Sequence, residues 1–155
     1  MTINEWIGKI VEHECEGYSF YYDIREMQNV LADDVSFPAA FMDEYYGLRM
    51  VDRYGWRREY TIELHWLDLC DMHGEAIARE RIREAIRGYV RAFLDELKRL
   101  TQSEFKEVTL DPEPPMFDAN ATGLLLRVTF SVPDCMVFAD PYPRDIPTYD
   151  DIMNG

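Results

Sequence analysis

At 155 residues the chain is the size of one ordinary domain, and 47% hydrophobic residues suffice to bury a core, which excludes disorder over most of its length. It carries 30 acidic against 16 basic residues, a formal charge of -14, and so lacks the basic balance that grips a nucleic-acid backbone. No apolar run is long enough to span a membrane, Met1–Glu5 lack the basic start of a secretion signal, and Cys15, Cys70 and Cys135 are too scattered for a disulfide framework. The expectation is a soluble protein of a reducing cytoplasm.

Trp6, Ile7, Ile10 and Val11 recur at helical spacing, with Thr2 or Asn4 as N-cap and Gly17 as a stop, which predicts a short amphipathic helix over residues 2–14. The aromatic run from Tyr18 to Tyr22 suits a half-buried strand. Residues 23–35 read as a polar connection. Ser36–Met42 reads as a second strand, with Pro38 at its start or edge because proline has no N–H for a ladder. Residues 43–58 read as a hairpin loop rich in aromatics: Tyr45, Tyr46, Tyr54 and Trp56 around Gly47 and Gly55.

Tyr60, Ile62, Leu64 and Trp66 alternate with Thr61, Glu63 and His65, the pattern of a strand with one buried face. From about Glu75 to Leu100, Ile82, Ile86, Tyr89, Val90, Phe93, Leu94, Leu97 and Leu100 recur at spacings of three and four, which predicts a long helix. Phe105–Leu110 reads as a strand closed by Asp111-Pro112-Glu113-Pro114-Pro115. Asn120–Gly123 reads as a turn, and Leu124–Val132 alternates as a further strand ended by Pro133. From Ala139 the chain holds Pro141, Pro143, Pro147 and four aspartates, so residues 139–155 are expected to be an extended arm beside a single domain of residues 1–138. The predicted class is α+β: a mainly antiparallel sheet of about four to five strands, a short N-terminal helix and one long amphipathic helix, with helices on one sheet face or both.

Charge is uneven along this order. Residues 75–100 carry 7 bases and 5 acids, the only positive stretch in an acidic chain. Arg83, Arg87 and Arg91 are spaced by four, hence on one helix face. Solvent exposure explains them most simply, and a salt-bridge surface toward another subunit fits an acidic chain better than phosphate binding.

His65, Asp68, Cys70, Asp71 and His73 are the one cluster of metal-competent types, but they lack the tight paired spacing of a zinc motif, and His65 and Cys70 fall on opposite strand faces. They read as a polar strand end. His13 and Cys15 are two apart on a helix and do not face each other, so Cys15 reads as a buried structural thiol. Glu63 with Asp68 is a carboxylate pair of the kind expected by chance in so acidic a chain. The eight glycines form no phosphate-binding loop. The expectation is no enzyme, no metal and no cofactor.

Three stretches carry a resemblance in layout: Ser36-Phe37-Pro38-Ala39-Ala40-Phe41, Tyr60-Thr61-Ile62-Glu63-Leu64-His65-Trp66 before the long helix, and Gly123-Leu124-Leu125-Leu126-Arg127-Val128-Thr129-Phe130 after it. Over residues 2–135 the chain resembles the tail-terminator, or tail-completion, proteins of long-tailed phages and prophages. The resemblance implies a non-enzymatic structural protein made in the bacterial cytoplasm and built into the virion tail. There it would form a homo-oligomeric ring, commonly a hexamer, that caps the tail tube and meets the head–tail connector. It implies neither a membrane nor sequence-specific nucleic-acid binding. Arg83, Arg87, Arg91, Tyr45, Tyr46, Tyr54 and Trp56 are the candidate interface residues. The alternative is a small acidic adaptor or inhibitor, of the DNA-mimic kind, that binds one basic protein.

Overall fold

A computed structural model describes residues 1–22, 35–70, 76–116 and 121–143, with 114–116 described by their backbone alone. Within them the order is α1 (Ile3–Glu14), β1 (Ser19–Tyr22), β2 (Ala39–Met42), β3 (Gly47–Asp52), β4 (Trp56–Leu69), α2 (Ala76–Thr101), β5 (Glu107–Met116) and β6 (Ala121–Pro133). The class is α+β, as the sequence predicts. None of the described helices is long and apolar enough to cross a membrane.

Both helices form where their apolar spacing places them. Thr2 caps α1, its Oγ1 accepting the Glu5 N–H at 3.5 Å, and Gly17 turns the chain away at φ +87°. In α2, Ile86, Val90, Phe93 and Leu97 are buried. Its C-terminal end closes with Gln102 at φ +51° and the Gln102 N–H on the Lys98 carbonyl at 2.9 Å.

The sheet departs from expectation in three ways. Among the described residues it has six strands, in the order β1-β2-β4-β6-β5 with β3 also against β4, and although it is mainly antiparallel as expected it is mixed, because β1 and β2 run parallel. Secondly, residues 43–58 are not one loop. β3 pairs with β4 from Gly47↔Thr61 to Asp52↔Trp56, leaving a turn at Arg53–Gly55 with Tyr54 at φ +54° and Gly55 at φ +111°. Met42 faces Leu64 and Gly47 faces Thr61, so residues 43–46 span what residues 62–63 span on β4. β2 and β3 are therefore one arm of a long hairpin, broken by a bulge.

Thirdly, β5 runs on through the prolines that were expected to end it. Among the described residues it is an edge strand, paired with β6 alone, so a missing N–H on its outer side breaks no ladder there, and Pro114-Pro115 fall in the register shift between Glu113 and Met116. Ala121, Thr122 and Gly123 belong to β6 and not to a turn, while Asn120 lies outside the described residues. Glycine is required at 123, because a Cβ there would lie 1.7 Å from the Trp66 carbonyl oxygen.

Both helices cover one face of the sheet. Tyr60, Ile62, Leu64 and Trp66 of β4 and Leu126, Val128, Phe130 and Val132 of β6 meet Trp6, Ile7, Val90 and Phe93 there. A small second cluster, Val35, Ala39, Phe41, Leu67 and Ala121, covers one end of the other face. Packing also continues beyond β6: Phe138 is buried 5.0 Å from the Trp6 ring and its carbonyl accepts the Met1 amino group at 2.9 Å. Within the expected arm, Tyr142 stacks on His13 at 3.5 Å. Residues 144–155 lie outside the described part.

Candidate functional site

The sheet face opposite the helices carries a ladder of cross-strand polar pairs. Glu59 of β4 binds Arg49 of β3 at 3.3 Å and Lys106 at 2.8 Å. Thr61 and Thr129 share a hydroxyl hydrogen bond of 2.9 Å, and Glu63 meets Arg127 at 3.8 Å. His65 is next in line. It sits opposite Phe41 of β2 and Leu125 of β6, with its side chain 13% exposed.

Two carboxylates clamp the His65 ring. Nε2 lies 3.2 Å from Oδ2 of Asp43, and Nδ1 is hydrogen-bonded to Oε1 of Glu113. Asp43 is placed by the bulge, where its N–H still donates to the Glu63 carbonyl at 3.1 Å. Glu113 comes from β5, across β6, where its register partner Gly123 has no side chain to block the way. Burial alone pulls the His65 pKa down, but the hydrogen bonds and charges of Asp43 and Glu113 outweigh it and raise the pKa to about 9. Near neutral pH the ring is an imidazolium that donates from both nitrogens. It has no lone pair left with which to act as a base. Glu63 beside it is pushed above the usual carboxylate range by burial and by Asp43.

The cluster is thus an ionic brace joining β4 to the hairpin bulge and to the edge strand. Its other end is anchored too, since Arg83 of α2 donates to the Glu113 carbonyl at 3.4 Å.

Of the metal-competent types near His65 in sequence, Asp68 does not join it. Asp68 is on the helix-side face, where its charge acts on Tyr18, and its Oδ1 accepts the Leu69 N–H at 2.7 Å. Asp71 and His73 lie outside the described residues. Glu63 and Asp68, an even-odd pair on β4, point to opposite faces for the same reason. Cys15 is buried, its thiol donates to the Tyr89 carbonyl at 3.5 Å, and burial pushes its pKa up to about 12, so it is no thiolate. His13, Glu14 and Glu96 bring one ligand atom each within 4.8 Å of one another. Those groups already have partners: Glu96 pairs with Arg99, His13 stacks under Tyr142, and the hydrogen bond to Glu96 raises the Glu14 pKa.

The candidate interface residues divide between opposite edges of the sheet. Arg87 and Arg91 lie on the flank of α2 toward β5, each in an exposed ion pair within the helix, with Glu84 at 2.9 Å and Asp95 at 3.4 Å. Arg83 is turned inward onto β5 and Glu80. On the hairpin, at the other edge, Tyr45, Tyr54 and Trp56 are exposed, together with Leu48 and Met50 of β3. Tyr46 instead packs on Tyr60 with ring centroids 5.8 Å apart. Sequence reasoning missed Asp43, Glu113 and the apolar face of β3. The available signal was a lone histidine on the polar face of β4, where a buried charge needs acidic partners. No model of a known protein family matches the chain, and no curated protein matches it either.

Proposed function

We propose that the chain is a structural protein that assembles with copies of itself into a closed ring, as in the phage tail-terminator proteins whose layout it resembles. On this reading the ring sits at the head-proximal end of a tail tube. The observation that carries the proposal is the pair of unlike surfaces at opposite edges of one sheet. An apolar hairpin with Leu48, Met50, Tyr54 and Trp56 exposed stands at one edge, and a flank of α2 with Arg87 and Arg91 stands at the other. A head-to-tail contact uses two different patches on each subunit, and it closes into a ring when its rotation permits. The clamping of His65 supports the same reading, because the best-organised polar cluster is engaged in holding strands together.

Light scattering on the purified chain tests this. The expected result is one closed species of about six subunits, the state that the resemblance and cyclic symmetry imply. Replacing Trp56 with Ser, or Arg87 and Arg91 together with Glu, should shift the mass toward the monomer. Arg83 is unsuited to this test, since it braces β5. A monomer at every concentration overturns the ring and favours an acidic adaptor that binds a basic protein.

A further inference from the structure

Between α2 and β5 lies an open groove of about 480 Å³, lined by Val90, Leu94 and Leu110 and bordered by Arg87 and Arg91. Its wall includes Gly88, in the middle of a 26-residue helix. An interior glycine destabilises a helix by about 1 kcal/mol relative to alanine. Among the described residues nothing calls for one here, because a Cβ at Gly88 would meet no atom within 4 Å outside its own helix backbone and chain neighbours. A bare backbone beside two arginines and three apolar side chains is suited to the close approach of an acidic, partly apolar chain.

The protein contains such a chain. Residues 144–155 carry Asp145, Asp150 and Asp151 against one arginine, interspersed with Ile146, Tyr149, Ile152 and Met153. We propose that this segment, from a second copy of the chain, seats in the α2–β5 groove, its aspartates meeting Arg87 and Arg91 and its apolar residues covering Val90, Leu94 and Leu110. Among the described residues both arginines are held by exposed intrahelical pairs, which contribute little and exchange readily. The described chain reaches Pro143 on the α1 side of α2, where Tyr142 stacks on His13. To enter its own groove the segment would have to cross the solvent face of α2. Twelve extended residues span up to about 40 Å, enough to reach a neighbour. The inference rests on the self-association proposed above.

Cross-linking between two singly labelled full chains tests it, in a background with Cys70 and Cys135 replaced by Ser. One chain carries Leu94→Cys, which lines the groove and leaves Gly88 bare, and the other Ile152→Cys, and the pair is oxidised with glutathione disulfide. The two-chain species should exceed by about ten-fold that formed when Glu12→Cys replaces Leu94→Cys, as expected for a raised effective concentration. Arg87→Glu with Arg91→Glu should cut the yield about five-fold, and Asp150→Arg with Asp151→Arg in the other chain should restore it. A yield equal to the control overturns the proposal. So does a disulfide that forms only when both cysteines are in one chain. Light scattering on the same samples separates the two inferences: an oligomer without the cross-link removes the seat alone, and a monomer removes both.

Discussion

Glu113 holds two elements at once, its carboxylate on His65 and its carbonyl under Arg83. The brace it completes makes stability depend on pH with a definite sign. The His65 pKa rises from 6.5 to about 9 on folding, so the stabilisation is fully present below about pH 6.5 and is lost as pH rises through 9. At 1.36 kcal/mol per unit, the loss is on the order of 3 kcal/mol. Urea unfolding at pH 6.5 and pH 9.5 should show that fall, and His65→Gln should be less stable at pH 6.5 and nearly flat between the two. An equal fall in His65→Gln would place the titration elsewhere. Gly123 offers a second residue-level test. Its missing side chain avoids the Trp66 carbonyl, so Gly123→Ala forces the backbones of β4 and β6 apart and should cost about 3 kcal/mol by the same measurement.

At the scale of elements, α2 combines a well-filled buried face with an unfilled outer flank. Phe93 is fully buried against Trp66, 5.6 Å between ring centroids, and Phe93→Ala should destabilise by about 3–5 kcal/mol. Gly88→Ala, in open space, should stabilise the monomer by up to about 1 kcal/mol, measured by urea unfolding at a dilution where assembly is absent. A loss of stability there would mean that the helix needs the glycine for itself. The helices and the long strands were legible because burial stamps its period on the sequence: every fourth or third residue in α2, every second in β4 and β6. β3 left no such mark, since almost all of it is exposed and its alternation separates no core from solvent. β5 was cut short by its prolines, which an edge position tolerates. The brace was illegible because the partners of His65 lie 22 and 48 residues away, brought in by a bulge and across a strand. Spacing along the chain cannot report a contact made through register.

For the molecule as a whole, the charge of -14 sets the terms of any assembly. Copies of the chain repel one another through solvent at long range, while the proposed contacts of Arg87 and Arg91 act at short range. Salt separates the two. The screening length is about 30 Å at 0.01 M and about 10 Å at 0.1 M, so the first additions of salt remove repulsion between subunits and leave contact pairs largely intact. Near 1 M it shortens to about 3 Å and the exposed pairs weaken as well. The apolar hairpin contact does not share this weakening, because burial of Leu48, Met50 and Trp56 does not depend on charge. The average mass in light scattering should therefore rise between 0.01 and 0.15 M salt and fall again toward 1 M. Leu48→Ser with Trp56→Ser should lower the mass at every salt concentration. These side chains are exposed in the subunit, so its unfolding midpoint should barely move. A mass that falls steadily from the lowest salt would show that complementary charge alone holds the subunits together. A mass unchanged in the hairpin variant would remove that edge from the interface.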